Sequence, residues 1–163
     1  MTRKGIEEVG DLRLPSDSRE RYQQRSVTNR YDERVNRETD VLFATSTGVE
    51  QVEAWVRGNA DNQRRIRLPV NGDDYAATLS IKAVVYAADN SVVASISQLA
   101  HASLDGSTLT LVDGTPEVLG DSDLTISLDD DDGEVQVLVE NAIVSSTAEL
   151  HWVVQVDSLV LIK

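Results

Sequence analysis

From Val41 onward, apolar and polar residues alternate with a period of two, the spacing that turns one side of an extended chain to a core and the other to water. "DLTISLD" sets Leu124, Ile126 and Leu128 on one side, and "EVQVLVE" does the same with Val135, Val137 and Val139. "STLTLVD" alternates through Leu109 and Leu111, "TLSIKAVVYA" through Leu79, Ile81, Ala83 and Val85, and "ELHWVVQVDSLVLIK" through Leu150, Trp152, Val154 and Val156. The last run is long enough for two strands, or for one bent at Asp157 and Ser158. "VEQVEAWVRG" and "RRIRLPV" add two earlier candidates, the second placed at a sheet edge because Pro69 cannot donate to a ladder. "SVVASISQLAHASL" is compatible instead with one short helix. Between the runs lie "NGDD", "ADNS", "LDGS", "VDGTPEVLGDSD" and "DDDDG", all built from turn-forming residues. About seven to nine short strands at intervals of roughly ten residues, with no helical crossovers between them, predict a mainly β fold: an antiparallel β-sandwich or jelly roll.

Upstream of Val41 the pattern is different. Residues 16–40 are almost wholly polar, with Tyr22, Val27, Tyr31 and Val35 as the sizeable apolar groups. Val27, Tyr31 and Val35 stand four apart, which would align them on one helix face with Ser16 or Asp17 as N-cap, but so thin a stripe does not support an isolated helix. The chain therefore divides into an extended or partly helical N-terminal arm, residues 1–40, and a β domain, residues 41–163. An arm of this composition orders against a partner or neighbouring subunit, or by packing back on its own body. Its expected docking residues are Arg21, Tyr22, Arg25, Arg30, Tyr31 and Arg34.

The four consecutive aspartates of "SLDDDDGEVQV" invite comparison with a calcium loop. An EF-hand-type loop needs oxygen ligands at its first, third and fifth positions, glycine at the sixth and glutamate at the twelfth. With Gly133 at the sixth, Asp130 and Asp132 fall in register, but Leu128 and Val139 occupy the first and twelfth positions. The stretch is expected to be a hairpin tip joining strands 123–129 and 134–140, with Gly133 supplying a positive φ. Asp130 and Asp132 are the two positions where a stray cation would find ligands.

Charge sharpens the division. Residues 1–40 balance nine basic against nine acidic side chains, leaving six against nineteen in the remainder, so the net charge of −13 belongs to the body. So acidic a body repels phosphate backbones, which argues against nucleic acid as a partner. Lysine occurs only at Lys4, Lys82 and Lys163, against twelve arginines. Acid-rich, lysine-poor surfaces resemble those of proteins from salt-loving organisms, where salt screens the carboxylates; the other reading is an ordinary acidic protein kept soluble by its charge. No window approaches the ~18 apolar residues of a membrane span, and the N-terminus lacks the apolar core of a secretory signal, so neither a membrane nor export by a cleaved signal is expected. With no cysteine, disulfides, thiolate zinc sites and cysteine nucleophiles are excluded.

Candidate chemistry is sparse. His101 and His151 are expected to be structural or surface residues, since no "GxSxG" elbow accompanies them. Phosphate cradles of the "GxxxxGK[ST]" or "GxGxxG" type are missing, and an aromatic content of 4% is poor for a sugar cleft. No enzyme activity and no cofactor are expected. Arg64, Arg65 and Arg67 in "RRIRLPV" form the body's sole basic cluster, placed either to grip an acidic neighbour or to neutralise local carboxylates. Trp55 and Trp152 are expected to anchor the core or a subunit interface.

The body resembles β-rich modules of the structural proteins of tailed viruses, especially fibre and tail-associated proteins. The resemblance rests on "YAATLSIKAVVYAADNSVVAS", on the hairpin "LDGSTLTLVDG", and above all on the closing "SSTAELHWVVQVDSLVLI". It implies a virion location, assembly in the host cytoplasm, a symmetric homo-oligomer such as a trimer, docking to other virion proteins through residues 1–40, and contact with a host surface. A capsid decoration or turret protein is the alternative in the same class. From other classes come a carbohydrate-binding sandwich, whose mark would be an exposed row of aromatics, and a hydrolase, whose mark would be a histidine within reach of a serine.

Overall fold

The computed structural model describes residues 35–56, 63–69, 73–143 and 147–163. The chain divides into Met1–Val35 and Asn36–Lys163, and the second unit carries the sheets. Its strands are β1 (Val35–Thr47), β2 (Glu50–Glu53), β3 (Trp55–Val56), β4 (Tyr75–Ala87), β5 (Val92–Asp105), β6 (Thr108–Asp113), β7 (Glu117–Gly120), β8 (Leu124–Asp131), β9 (Glu134–Asn141) and β10 (Glu149–Ile162). They form a large sheet in the order β3-β1-β10-β4-β5-β6, with β7 also on β5, and a small sheet in the order β2-β9-β8. The registered pairs are antiparallel.

The two sheets share one core. Leu79, Ile81, Ala83 and Val85 of β4 and Trp152, Val154 and Val156 of β10 face Leu124 and Ile126 of β8 and Val137 and Val139 of β9 across it. The alternation predicted from the sequence is thus the alternation of burial, and the fold is the expected antiparallel sandwich.

β5 departs from expectation. The segment compatible with a short helix is a strand, in which Ala94, Ile96, Ala100 and Ala102 point inward together with Gln98. Its first half pairs with β7 and its second with β6. The chain changes partner at the middle of β5, where the Gly114 amide bonds the Leu99 carbonyl at 2.8 Å. A Cβ on Gly114 would lie 2.3 Å from that carbonyl oxygen, so only glycine allows the approach. Nearby, Asp113 ties the sheets together, accepting from the Gln98 amide at 3.3 Å and from the Leu128 N–H of β8 at 3.2 Å.

Of the two readings open for the last run, β10 is a single strand, in which Ser158 continues the inward row between Val156 and Val160. Among the described residues "RRIRLPV" forms no strand: Arg64 makes one isolated bridge to Val56, and residues 65–69 join no ladder. β1 runs through the compositional boundary, with Asp40 3% exposed inside the sheet.

Candidate functional site

The basic cluster is knitted into the fold. Arg65 stands between the small sheet and the hairpin tip, with Nε 2.7 Å from Glu53 Oε1, Nη1 2.8 Å from Glu134 Oε2 and Nη2 2.5 Å from Asp131 Oδ2. The planar fork of donors suits three separate carboxylates, and the same guanidinium lies over the Trp55 ring at 5.4 Å. The bond to Glu53 is the main reason its charge is held more firmly than in water, with Asp131 and Glu134 adding to it. Beside it a cleft of about 350 Å³ is lined by Trp55, Ile66, Leu68, Tyr75, Glu134 and Val135. Burial, then the charge of Asp130, pushes the Tyr75 phenol above its usual range. Arg65 and Glu134, which line this cleft, are paired with each other in the clamp.

Arg67 pairs with Asp40 at 3.1 Å and Glu38 at 3.1 Å, and its backbone N–H donates to Asp40 at 2.8 Å. Arg64 approaches Asp40 at 3.9 Å. All three arginines therefore have carboxylate partners within the body. Asp40 and Glu53, the inner partners, escaped the sequence reading. A signal existed for Asp40, which keeps the inward phase of Leu42 and Ser46, but its charge placed it with the arm.

The aspartate run is a two-residue hairpin turn. Asp132 and Gly133 both have positive φ, 54° and 84°, the form that matches the twist of the flanking strands. Asp130 Oδ1 accepts the Gly133 N–H at 2.8 Å, Asp129 Oδ1 accepts the Asp130 N–H at 2.9 Å, and Asp131 holds Arg65. Among the described residues no group of three acidic, histidine or cysteine side chains is placed to hold a metal ion. Asp130 and Asp132 are thus found in a turn that is bonded internally.

Trp152 is a core residue, 1% exposed, and offers no surface to a neighbour, because even-numbered positions of β10 point inward. The core is one of the two places the sequence leaves open for it. His101 and His151 lie on the outer face of the large sheet. His101 Nδ1 is 3.3 Å from the Thr78 hydroxyl; His151 stacks on Tyr86 and lies 3.1 Å from Glu149.

That outer face is built across β10, β4 and β5, strands of thirteen and fourteen residues paired along their length. Register places Leu159, Thr78 and His101 in one row, Asp157, Ser80 and Leu99 in the next, then Gln155, Lys82 and Ser97, then Val153, Val84 and Ser95. Val84, Leu99, Leu159 and Leu161 are exposed large apolar side chains, Leu99 at 59%. The expected docking residues Arg21, Tyr22, Arg25, Arg30, Tyr31 and Arg34 lie outside the described residues.

No family model matches the chain, and no curated protein does. A solved structure similar to it is the tailspike protein of Acinetobacter baumannii phage AM24, with 10% sequence identity and a TM-score of 0.46, over 79% of this chain and 27% of that one. The chain spans about a quarter of that protein, and a likeness at this score carries no argument about what the chain does.

Proposed function

We propose that this chain is a virion structural protein, a tail fibre or tail-associated attachment component, docked through residues 1–40 and displaying its β body outward. The observation that carries the reading is where the family-like segments lie. "YAATLSIKAVVYAADNSVVAS" forms β4, its turn and the start of β5; "LDGSTLTLVDG" forms the β5–β6 hairpin; "SSTAELHWVVQVDSLVLI" contains β10. The third is distant in sequence from the first two, yet the three supply consecutive neighbours, β10-β4-β5-β6, in one sheet. The resemblance therefore covers the structural centre of the body, where a scaffold for exposed turns is built. Its acid-rich, lysine-poor surface supports a salt-loving host. An activity other than binding and assembly is not part of this reading.

The test is location. Antibody raised against the body should label the tails of purified particles, and its peptides should appear in the particle proteome. Labelling spread over the shell would favour the decoration protein instead; absence from particles defeats both.

A further inference from the structure

We infer that the outer face of the large sheet is covered by a second copy of this chain, the two sheets stacked face to face. The inference stands apart from the proposed virion role and rests on charge, area and geometry.

Charge decides the occupant. Over β1, β4, β5 and β10 the outward side chains carry Arg37, Lys82, Asp105, Glu149 and Asp157, a net charge of −1 against −13 for the chain. Of the nineteen acidic residues downstream of Asp40, three project from this face, Asp105 and Glu149 at strand ends and Asp157 within it. Lys82 pairs in register with Gln155, so Asp157 is its diagonal neighbour on the adjacent strand, and the two charges offset each other. A basic partner would be drawn to the acidic turns and edges, and an acidic one would be repelled by the body as a whole. Two copies of a body this negative repel each other everywhere except through a face that is nearly neutral.

The area is sufficient. Strands of thirteen and fourteen residues give the face a length of about 43 Å, and β1, β10, β4 and β5 side by side give a width of about 19 Å. That is on the order of 800 Å² of plan area per copy, the size of a standard stable interface. Its apolar content comes from Val41, Val84, Leu99, Leu159 and Leu161, set among serine, threonine and alanine, which allow close approach. A flat face that meets its own copy closes at two, so the count is two where the family resemblance implied three.

The experiment is sedimentation equilibrium of the full chain in dilute buffer and in molar KCl. The wild type is expected at twice its 17.9 kDa chain mass, with association tighter in the higher salt because the bodies' mutual repulsion is screened. Leu99→Arg and Val84→Lys, both at exposed positions, should each weaken association at least tenfold, whereas Val49→Arg, exposed but away from the face, should leave it unchanged. Far-UV circular dichroism checks that each variant is folded. In case a charge variant fails to fold, a nitroxide on Ser97→Cys, the only thiol in the chain, should show dipolar coupling between copies. A monomeric wild type in both salts, an oligomer that survives both face variants, or no coupling between the labels would overturn the inference.

Discussion

The indole N–H of Trp152 donates to the hydroxyl of Ser46 across 2.9 Å, with both side chains sealed from solvent. The bond joins the first strand of the large sheet to the last. Ser46→Ala strands a buried donor and is expected to cost about 1–3 kcal/mol of unfolding free energy. Combining it with Trp152→Phe should cost less than the sum of the two single changes, since both polar groups then leave together. Urea unfolding of the four species checks this; strict additivity would mean that the bond contributes nothing.

Arg65 holds three carboxylates that would otherwise repel one another. Arg65→Met keeps most of the packing against Trp55 and removes the charge, with an expected loss of about 2 kcal/mol, an amount typical of hydrogen bonds to charged groups and far below the sum of three such bonds because Asp131 and Glu134 are half exposed. The variant should regain stability in molar salt more steeply than the wild type, because Glu53, Asp131 and Glu134 are then screened. Thermal midpoints across a KCl series read the difference, and parallel salt slopes would count against the clamp.

Asp157 titrates below the ordinary carboxylate range, chiefly because the Thr39 hydroxyl donates to it at 2.7 Å, with Gln155 and then Lys82 adding to the effect. A carboxylate whose folded pKa is depressed contributes stability above its unfolded pKa and loses it as pH falls through the folded value. Thr39→Val should move the Asp157 titration upward, and Asp157→Asn should flatten the acid limb of the stability curve. Carbon-detected NMR titration measures the first and urea melts from neutral to acid pH the second. A Thr39→Val chain with an unmoved Asp157 titration would remove Thr39 as the cause.

Gly120 and Gly133 both have positive φ, 106° and 84°, but their surroundings differ. At Gly133 a Cβ meets nothing within 4 Å, so Gly133→Ala should cost about 1–2 kcal/mol from backbone conformation alone. At Gly120 the Cβ would also lie 2.3 Å from the Val93 carbonyl oxygen, where β7 pairs with β5, and the cost should be larger, about 3 kcal/mol or more. Differential scanning calorimetry ranks the pair, and equal losses would show that the β7 edge gives way freely.

Alternation made the sandwich legible wherever most inward places are apolar and the outward ones mostly polar, as in β4, β8, β9 and β10. It failed in β5 because Gln98 takes an inward place while Leu99 faces out, which blurs a period of two into something a helix could also satisfy. It failed at residues 64–69 because a run of arginines with one apolar residue between them resembles an amphipathic strand, whereas the segment is held by Arg65 and Arg67 side chains reaching carboxylates on β1, β2 and the hairpin tip. Such contacts span many residues and leave no local trace. The hairpin at Gly133 was legible because turn chemistry is local; the clamp that fastens its tip was not.

The position of β10 has a consequence for how the protein is made. As the last strand in sequence it lies between β1 and β4, so the large sheet has a gap at its centre until the ribosome has delivered Ile162. Strands β1 and β4 emerge early and must wait with unpaired edges, a state in which nascent chains pair wrongly with one another. Lys82 and the acidic turns between β4 and β9 then serve a second purpose, keeping unfinished copies apart until β10 closes the sheet.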